Sequence, residues 1–397
     1  MRATEVRLGA ESLGPVCHVV YSRFPADPRV RKEVQSLADA GFDVSVICAK
    51  TPGEARHESI GRVLVHRLPL PIVRGGKMRY VYQYSLFFLL ALAALFSLNL
   101  TKRFRIVHVH SLPDFLVFAA LPLRFLGTRI VLDLHESAPE LFLARFPSSR
   151  GGLLDRLVHM GQRWSSRVAD CVITVNAQIA RLLEERGCVR FGLSIIENAP
   201  DWEPGPLGAA NTSPADGANL VIACGLNPER DLELVLRACE TVSRRHELRV
   251  MFIGEGQVSY VEQLRAFANE HGMSDSIAIE PPVPHGRVRE LLSASTFGVV
   301  SYQRSPITEI ATPNKAYEYG FLGIPMVVAD LPALHTLLGD SVLYYRPGDQ
   351  SDLAKSMLRL LEDGTLRANL SKRVVHVMVG HTWREMTSRL LSIYQDI

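Results

Sequence analysis

The sequence predicts an α/β protein made of two doubly wound, Rossmann-like domains in tandem. Three observations carry this prediction. Short β-branched apolar runs alternate with amphipathic runs of helix length from end to end, the pattern of parallel sheets covered by helices. A Pro-, Gly-, Ala- and Ser-rich stretch without periodicity interrupts the alternation at 203–217 and reads as a linker. The alternation then resumes, and 397 residues accommodate two domains of about 150–200 residues each.

In the first half, strands are expected at 16–21, 43–48, 62–67, 106–110, 129–134, 171–175 and 194–197. A helix is expected at 30–40, stopped by Gly41. The second series has strands at 220–224, 248–253, 277–280, 297–302 and 325–329. Domain boundaries follow at 1–202 and 203–381. A closing helix at 382–397, with Trp383, Met386, Leu390, Leu391 and Tyr394 on one side, is expected to pack back on the first domain. Two such domains facing across a cleft normally form their site in that cleft.

The apolar share of 47% and charged share of 21% are those of a globular chain. A net charge of +3 without a basic block gives no support for a nucleic-acid partner. Six cysteines, none at metal-ligand or CxxC spacing, read as reduced thiols, and the first fifteen residues lack a signal-peptide core. The expected location is the cytoplasm.

From 80 to 101 no residue is charged, while Arg74, Lys77 and Arg79 precede the segment and Lys102, Arg103 and Arg105 follow it. Its length would span a bilayer. A crossing, however, would put strands of one sheet on opposite sides, and basic residues at both ends lack the asymmetry of a span. The segment reads either as an ordinary sheet-covering helix or as one whose outer face meets lipid headgroups, and the second is favoured because Ser85, Ser97 and Asn99 hardly make a polar stripe. The expected partner is a membrane surface.

The strongest local motif is Pro313-Asn314-Lys315-Ala316-Tyr317-Glu318-Tyr319, followed by Gly323-Ile324-Pro325. Pro313 suits a helix start, whose N–H groups and dipole seat a diphosphate. Lys315 adds charge there, and Glu318, one turn on, can accept bonds from ribose hydroxyls. Gly254-Glu255-Gly256 is consistent with backbone approaching a nucleotide. His108 and His110 share one strand face, where a histidine is more often a hydrogen-bonded core residue, and the carboxyl-end position makes His110 a site candidate. His135 ends the next strand as a second candidate. Arg23, Arg29, Arg31 and Lys32 cluster after the first strand, where they are either solvated or meet a phosphate of acceptor or donor.

With these motifs the chain resembles the retaining, metal-independent glycosyltransferases of family 4, which have the GT-B fold. The resemblance extends to DPRVRKEVQSLADAGFDVSVI (27–47), VHVHS (107–111), VLDLHESAPE (131–140), IIENAPD (195–201) and FIGEG (252–256), in that order. It implies that Glu318 binds the nucleotide ribose and that the amides of Asn314 and Lys315 meet the diphosphate. By the same resemblance Arg230 neutralises leaving-group phosphates, and His110 contacts the transferred sugar.

The implied activity is transfer of a hexose from a UDP- or GDP-sugar without a metal. A membrane-linked saccharide or lipid acceptor, at the inner face of the cell membrane in envelope polysaccharide or glycolipid assembly, would suit the 80–101 segment. Two departures stand out. Where the family has a glutamate near the sugar this chain has Ile310, so that Glu309 through a shifted loop, or backbone near Thr312, would replace it. Leu226 occupies a position where arginine is common. These departures leave a catalytically weak sugar-nucleotide-binding subunit as an alternative. A sugar-nucleotide epimerase shares the architecture but needs a carboxylate pair that the sequence does not display.

Overall fold

The computed structural model describes residues 13–73, 77–205 and 217–397. Arg74 and linker residues 206–216 lie outside them. The fold is α/β with two Rossmann-like units: Met1–Glu197 with Thr387–Ile397, and Asn198–Met386.

The first unit holds one eight-stranded sheet. Its strands are β1 (Pro15–Val19), β2 (Asp43–Ala49), β3 (His57–Ile60), β4 (Val63–Leu68), β5 (Ile106–His110), β6 (Arg129–Leu134), β7 (Cys171–Thr174) and β8 (Gly192–Ile195). They lie in the order β3-β4-β2-β1-β5-β6-β7-β8, parallel except for β3 against β4. Continuous apolar runs such as β6 fit strands covered on both faces. The order reverses at β1 and β5, and the carboxyl ends beside such a switch are where open α/β sheets place ligands.

The helix Pro28–Ala40 shows how sequence sets local structure. The Asp27 side chain caps its start by accepting from Val30 N, Pro28 occupies the first turn, and Gly41 ends it at φ 103°. Such a cap contributes about 1 kcal/mol, and a residue with a side chain would be strained at Gly41. The closing helix Trp383–Asp396 completes this unit. Its Leu390 and Tyr394 are buried, and the Tyr394 ring meets Phe42 edge-on.

In the second unit β9 (Ala218–Ala223), β10 (Leu248–Ile253) and β11 (Ile277–Glu280) form one parallel ladder. A second ladder comprises β12 (Gly298–Val300), β13 (Met326–Ala329) and β14 (Leu343–Tyr345). Side chains replace ladder bonds at the outer edge of β9. Thr296 Oγ1 and Ser295 Oγ accept from Asn219 N and Val221 N, and Tyr319 Oη donates to Val221 O at 2.6 Å. The strand expected at 297–302 is accordingly shorter.

The helix Lys77–Lys102 connects β4 to β5 of one sheet, so it lies along that sheet. Gln83, Phe87, Ala91, Leu95 and Asn99, each four residues apart, are its buried stripe. Asn99 is thus not part of an outer polar stripe. Its Oδ1 accepts from Phe104 N, and Gln83 Oε1 accepts from Tyr21 Oη. Met78, Tyr82, Leu89, Phe96 and Leu100 face outward.

Candidate active site

In the first unit, three adjacent strands bring their polar residues to one place. Pairing sets His18 of β1 beside His108 of β5, and His110 beside Asp133 of β6. The rings of His18, His108 and His110 stack with centroids 4.4–5.2 Å apart. Asp133 accepts from Arg29 through both oxygens at 2.8 Å, and the same guanidinium donates to Ile196 O and reaches Glu33 at 3.1 Å.

Burial works against ionisation of Asp133, but Arg29, with His135 and His110 donating, holds its carboxyl well below the usual range. Glu33 shows the opposite balance. Burial outweighs Arg29 and pushes its carboxyl up to about 8.

His110 is fully buried, and both of its ring nitrogens have protein partners. Nδ1 lies 3.1 Å from Asp133 Oδ2, a carboxylate that only accepts, so the proton sits on Nδ1. Nε2 then accepts from His18 Nδ1 at 2.9 Å. Burial, opposed by Asp133, lowers its pKa below the ordinary histidine value. His18 and His108 are lowered further by burial, and Tyr394 Oη bonds His108 Nδ1 at 2.7 Å.

The expectation that His110 touches the sugar is corrected by this enclosure. The member of the group that reaches the surface is His135. Its side chain is 20% exposed, its Nε2 lies 2.9 Å from Asp133 Oδ2, and its backbone N–H donates to Ser111 Oγ. Arg29 is corrected likewise, because burial against Asp133 removes it from the phosphate-binding set. Arg23 and Arg31 stay exposed after β1.

His110, Asp133 and His135 bring ligand atoms within 4.8 Å of one another, a spacing that a cation could use. The Arg29 guanidinium already supplies positive charge to both carboxylate oxygens.

In the second unit the helix Asn314–Phe321 starts at Pro313, and no side chain caps it. Its first-turn N–H groups and dipole therefore offer an anion seat. Lys315 is buried, and its Nζ meets no oxygen or nitrogen partner among the described residues, the Cys224 thiol being its polar neighbour. Burial first, then the charge of Arg230, lowers the Lys315 pKa from its usual value. Arg230 ends a 3-10 turn after β9, its guanidinium 4.6 Å from the centre of the Tyr302 ring. Glu318, one turn beyond Lys315, is buried, and burial pushes its carboxyl up to about 7 against the pull of Lys315.

This shift gives a test. With a folded pKa of about 7 against an ordinary 4.5, ionised Glu318 costs stability above pH 7 and costs nothing below the ordinary value. Glu318→Gln is expected to stabilise the ligand-free protein at pH 8 by roughly 3 kcal/mol in urea unfolding. The gain should disappear toward pH 4.

Two expected residues sit differently. A Cβ on Gly254 would lie 1.8 Å from Cys224 O, and one on Gly256 2.1 Å from Leu226 O. The close approach that demands glycine is thus to the chain's own β9 turn, where Leu226 bridges to Gly256. Glu309 is a half-exposed partner of Arg304 at 3.6 Å, while Ile310 turns inward and is buried.

Residues 26–198 match the glycosyl transferase 4-like domain, and residues 218–363 match the glycosyl transferases group 1 model. The chain belongs to this glycosyltransferase family. Similar relatives include D-inositol 3-phosphate glycosyltransferases of Acidothermus cellulolyticus and Thermobispora bispora. The first is 28% identical over 46% of this chain and 42% of its own length, and the second 26% over 49% and 47%. The chain thus spans less than half the length of these relatives.

Among solved structures, sucrose-phosphate synthase from Thermosynechococcus elongatus superposes with a TM-score of 0.76 at 17% identity, covering 96% of this chain and 98% of that one. The E. coli trehalose-6-phosphate structure bound with UDP-2-fluoro glucose gives 0.70 at 15% identity, covering 97% and 99%. At such identities the likeness is one of fold.

Glu33, His18 and Asp133 were not singled out by sequence reasoning, and Tyr394 was read only as a packing residue of the closing helix. Asp133 and His135 did carry a signal: in Leu132-Asp133-Leu134-His135 they alternate onto one strand face, as His108 and His110 do.

Proposed function

We propose that the protein is a retaining glycosyltransferase that moves a hexose from a UDP- or GDP-sugar to a membrane-linked saccharide or lipid acceptor, with protein cations in place of a metal. One observation carries the donor part: a buried lysine ammonium, short of an oxygen partner, at the uncapped start of the Asn314–Phe321 helix. Burying an unpaired charge costs several kcal/mol, and an incoming diphosphate would offset that cost. The UDP-sugar in the trehalose-6-phosphate structure supports the same donor class.

As the bond from the sugar C1 to the β-phosphate oxygen breaks, negative charge gathers on the diphosphate. The helix N–H groups, Lys315 and Arg230 stabilise it there. The acceptor hydroxyl bonds to C1 on the same face, and its proton passes to the departing diphosphate. Glu318 takes the ribose hydroxyls. His135, oriented by Asp133, is the histidine proposed to meet the transferred sugar. The outward apolar face of the Lys77–Lys102 helix supports a membrane-linked acceptor.

A thermal-shift series tests the donor: UDP or GDP and their sugars should raise Tm, and adenine nucleotides should do so less. His135→Ala should lower kcat about 10²–10³-fold with Tm nearly unchanged. His110→Ala should lower Tm first. If His110→Ala alone abolished transfer in a stable protein, the sugar contact would return to His110.

A further inference from the structure

The helix Leu153–Val168 is built inside out. Its buried positions are Asp155, Gln162, Ser165 and Ser166, whereas Leu153, Leu154, Leu157, Met160 and Trp164 are exposed, Leu153 by 74% and Trp164 by 59%. These apolar residues recur at helical spacing and share one face. The polar face turns inward, where Gln162 Nε2 donates to Ser137 Oγ and Gln162 lies beside the buried Asp114.

The Lys77–Lys102 helix likewise presents apolar side chains outward, Leu89 and Phe96 among them, although its buried stripe also holds Phe87, Ala91 and Leu95. The 3-10 turn Asp114–Ala119 packs against both helices. Phe115 of that turn meets Phe88 and is itself partly exposed.

Charge identifies what covers this face. Between residues 78 and 169, Asp114, Asp133, Glu140 and Asp155 are buried, leaving Glu136 as the exposed acid of that stretch. Arg79, Arg150, Arg156 and Arg163 are exposed on the two helices or at their ends. An apolar helical face edged by arginines fits the interface of an anionic bilayer, where apolar side chains enter the acyl boundary and basic ones meet phosphates. A soluble protein seldom leaves so large an apolar patch uncovered.

We infer that the Leu153–Val168 helix is a second membrane-binding element, lying in the interface of an anionic bilayer beside the Lys77–Lys102 helix. This deepens the membrane-linked acceptor reading and rests on it. Two flanking helices would fix the orientation of the first unit on the surface, which one helix would leave free to roll.

The test uses the full chain and vesicles of phosphatidylcholine with about 30% phosphatidylglycerol, against pure phosphatidylcholine. Sedimentation should carry the protein down with the anionic vesicles. Leu157→Glu with Trp164→Glu, both at exposed positions, should weaken that binding at least tenfold while leaving Tm unchanged. Trp164 emission should shift to the blue on anionic vesicles, and Trp164→Phe should remove the shift.

Binding that ignores the double substitution, or no preference for anionic lipid, overturns the inference. So does a dimer that the substitution dissolves while the wild type fails to bind vesicles. Binding is read without donor or acceptor. A chain that responds to UDP or GDP yet ignores vesicles sinks this inference and leaves the donor reading intact. One that binds through Trp164 but responds to no nucleotide does the reverse.

Discussion

Lys315→Met should make the ligand-free protein more heat-stable and nearly deaf to its nucleotide. Both halves follow from the same fact. Lys315 is buried with its ammonium short of a partner, and burial lowers its pKa, so at neutral pH the charged form costs folding free energy. Methionine keeps the length and apolar stem and removes that cost.

The sign can be checked with pH. A lysine with a depressed folded pKa destabilises where it is charged, so the advantage of methionine should be largest near neutrality. It should fade as pH rises toward 10.5, where the unfolded lysine also loses its proton. In the complex the balance reverses. A charge-assisted bond to phosphate contributes about 1.5–3 kcal/mol, so nucleotide affinity should fall roughly 10–150-fold. If the bond tightens as the diphosphate departs, kcat should fall by about 10²–10³. Titrating UDP and GDP against wild type and variant by calorimetry, beside thermal melts without ligand, reads both effects. Equal nucleotide affinity in the two proteins would remove Lys315 from the donor site.

What the sequence exposes and what it hides differ by physical cause. Buried parallel strands announce themselves as apolar runs, and the strands at 106–110, 129–134, 248–253 and 277–280 occur where expected. The missed strands are the ones that lack this signature. His57–Ile60 is an exposed antiparallel edge, and Leu343–Tyr345 has three residues.

Helix polarity is hidden more deeply. The spacing of Leu153, Leu157 and Trp164 defines an apolar face but cannot say whether it points inward, because the periodicity is identical either way. Only the burial of Asp155 and Gln162 decides it.

Long-range pairing is equally invisible. His110 and His135 are both histidines at strand ends, and nothing local distinguishes them. His110 is enclosed by His18 and Asp133, and Tyr394, from the far end of the chain, bonds His18 and His108. Position 226 has a similar explanation, since Leu226 packs under Gly256 and is buried.

The Arg29–Asp133 pair should show the largest loss of stability. Arg29→Met leaves a fully buried carboxylate without the cation that keeps it ionised, and such a broken pair typically costs about 3–5 kcal/mol. Neighbouring His135 and His110 donors soften this without replacing the bidentate geometry, and for the same reason Arg29→Lys should rescue little.

The pH dependence separates electrostatics from lost packing. In the wild type the folded pKa of Asp133 lies well below its ordinary 3.8. Its stabilisation is therefore present above that value and lost as pH falls through the folded pKa. Without Arg29, burial dominates and the folded pKa rises above the ordinary value, so the variant carries a penalty at neutral pH that acid relieves. The gap between wild type and Arg29→Met in urea unfolding should consequently narrow from pH 7 to pH 4. Arg29→Met with Asp133→Asn should recover part of the loss at pH 7, since no buried charge is then left unpaired. A gap constant with pH, or a double variant no more stable than Arg29→Met, would mean that Arg29 stabilises the fold through its packing, with its charge on Asp133 secondary.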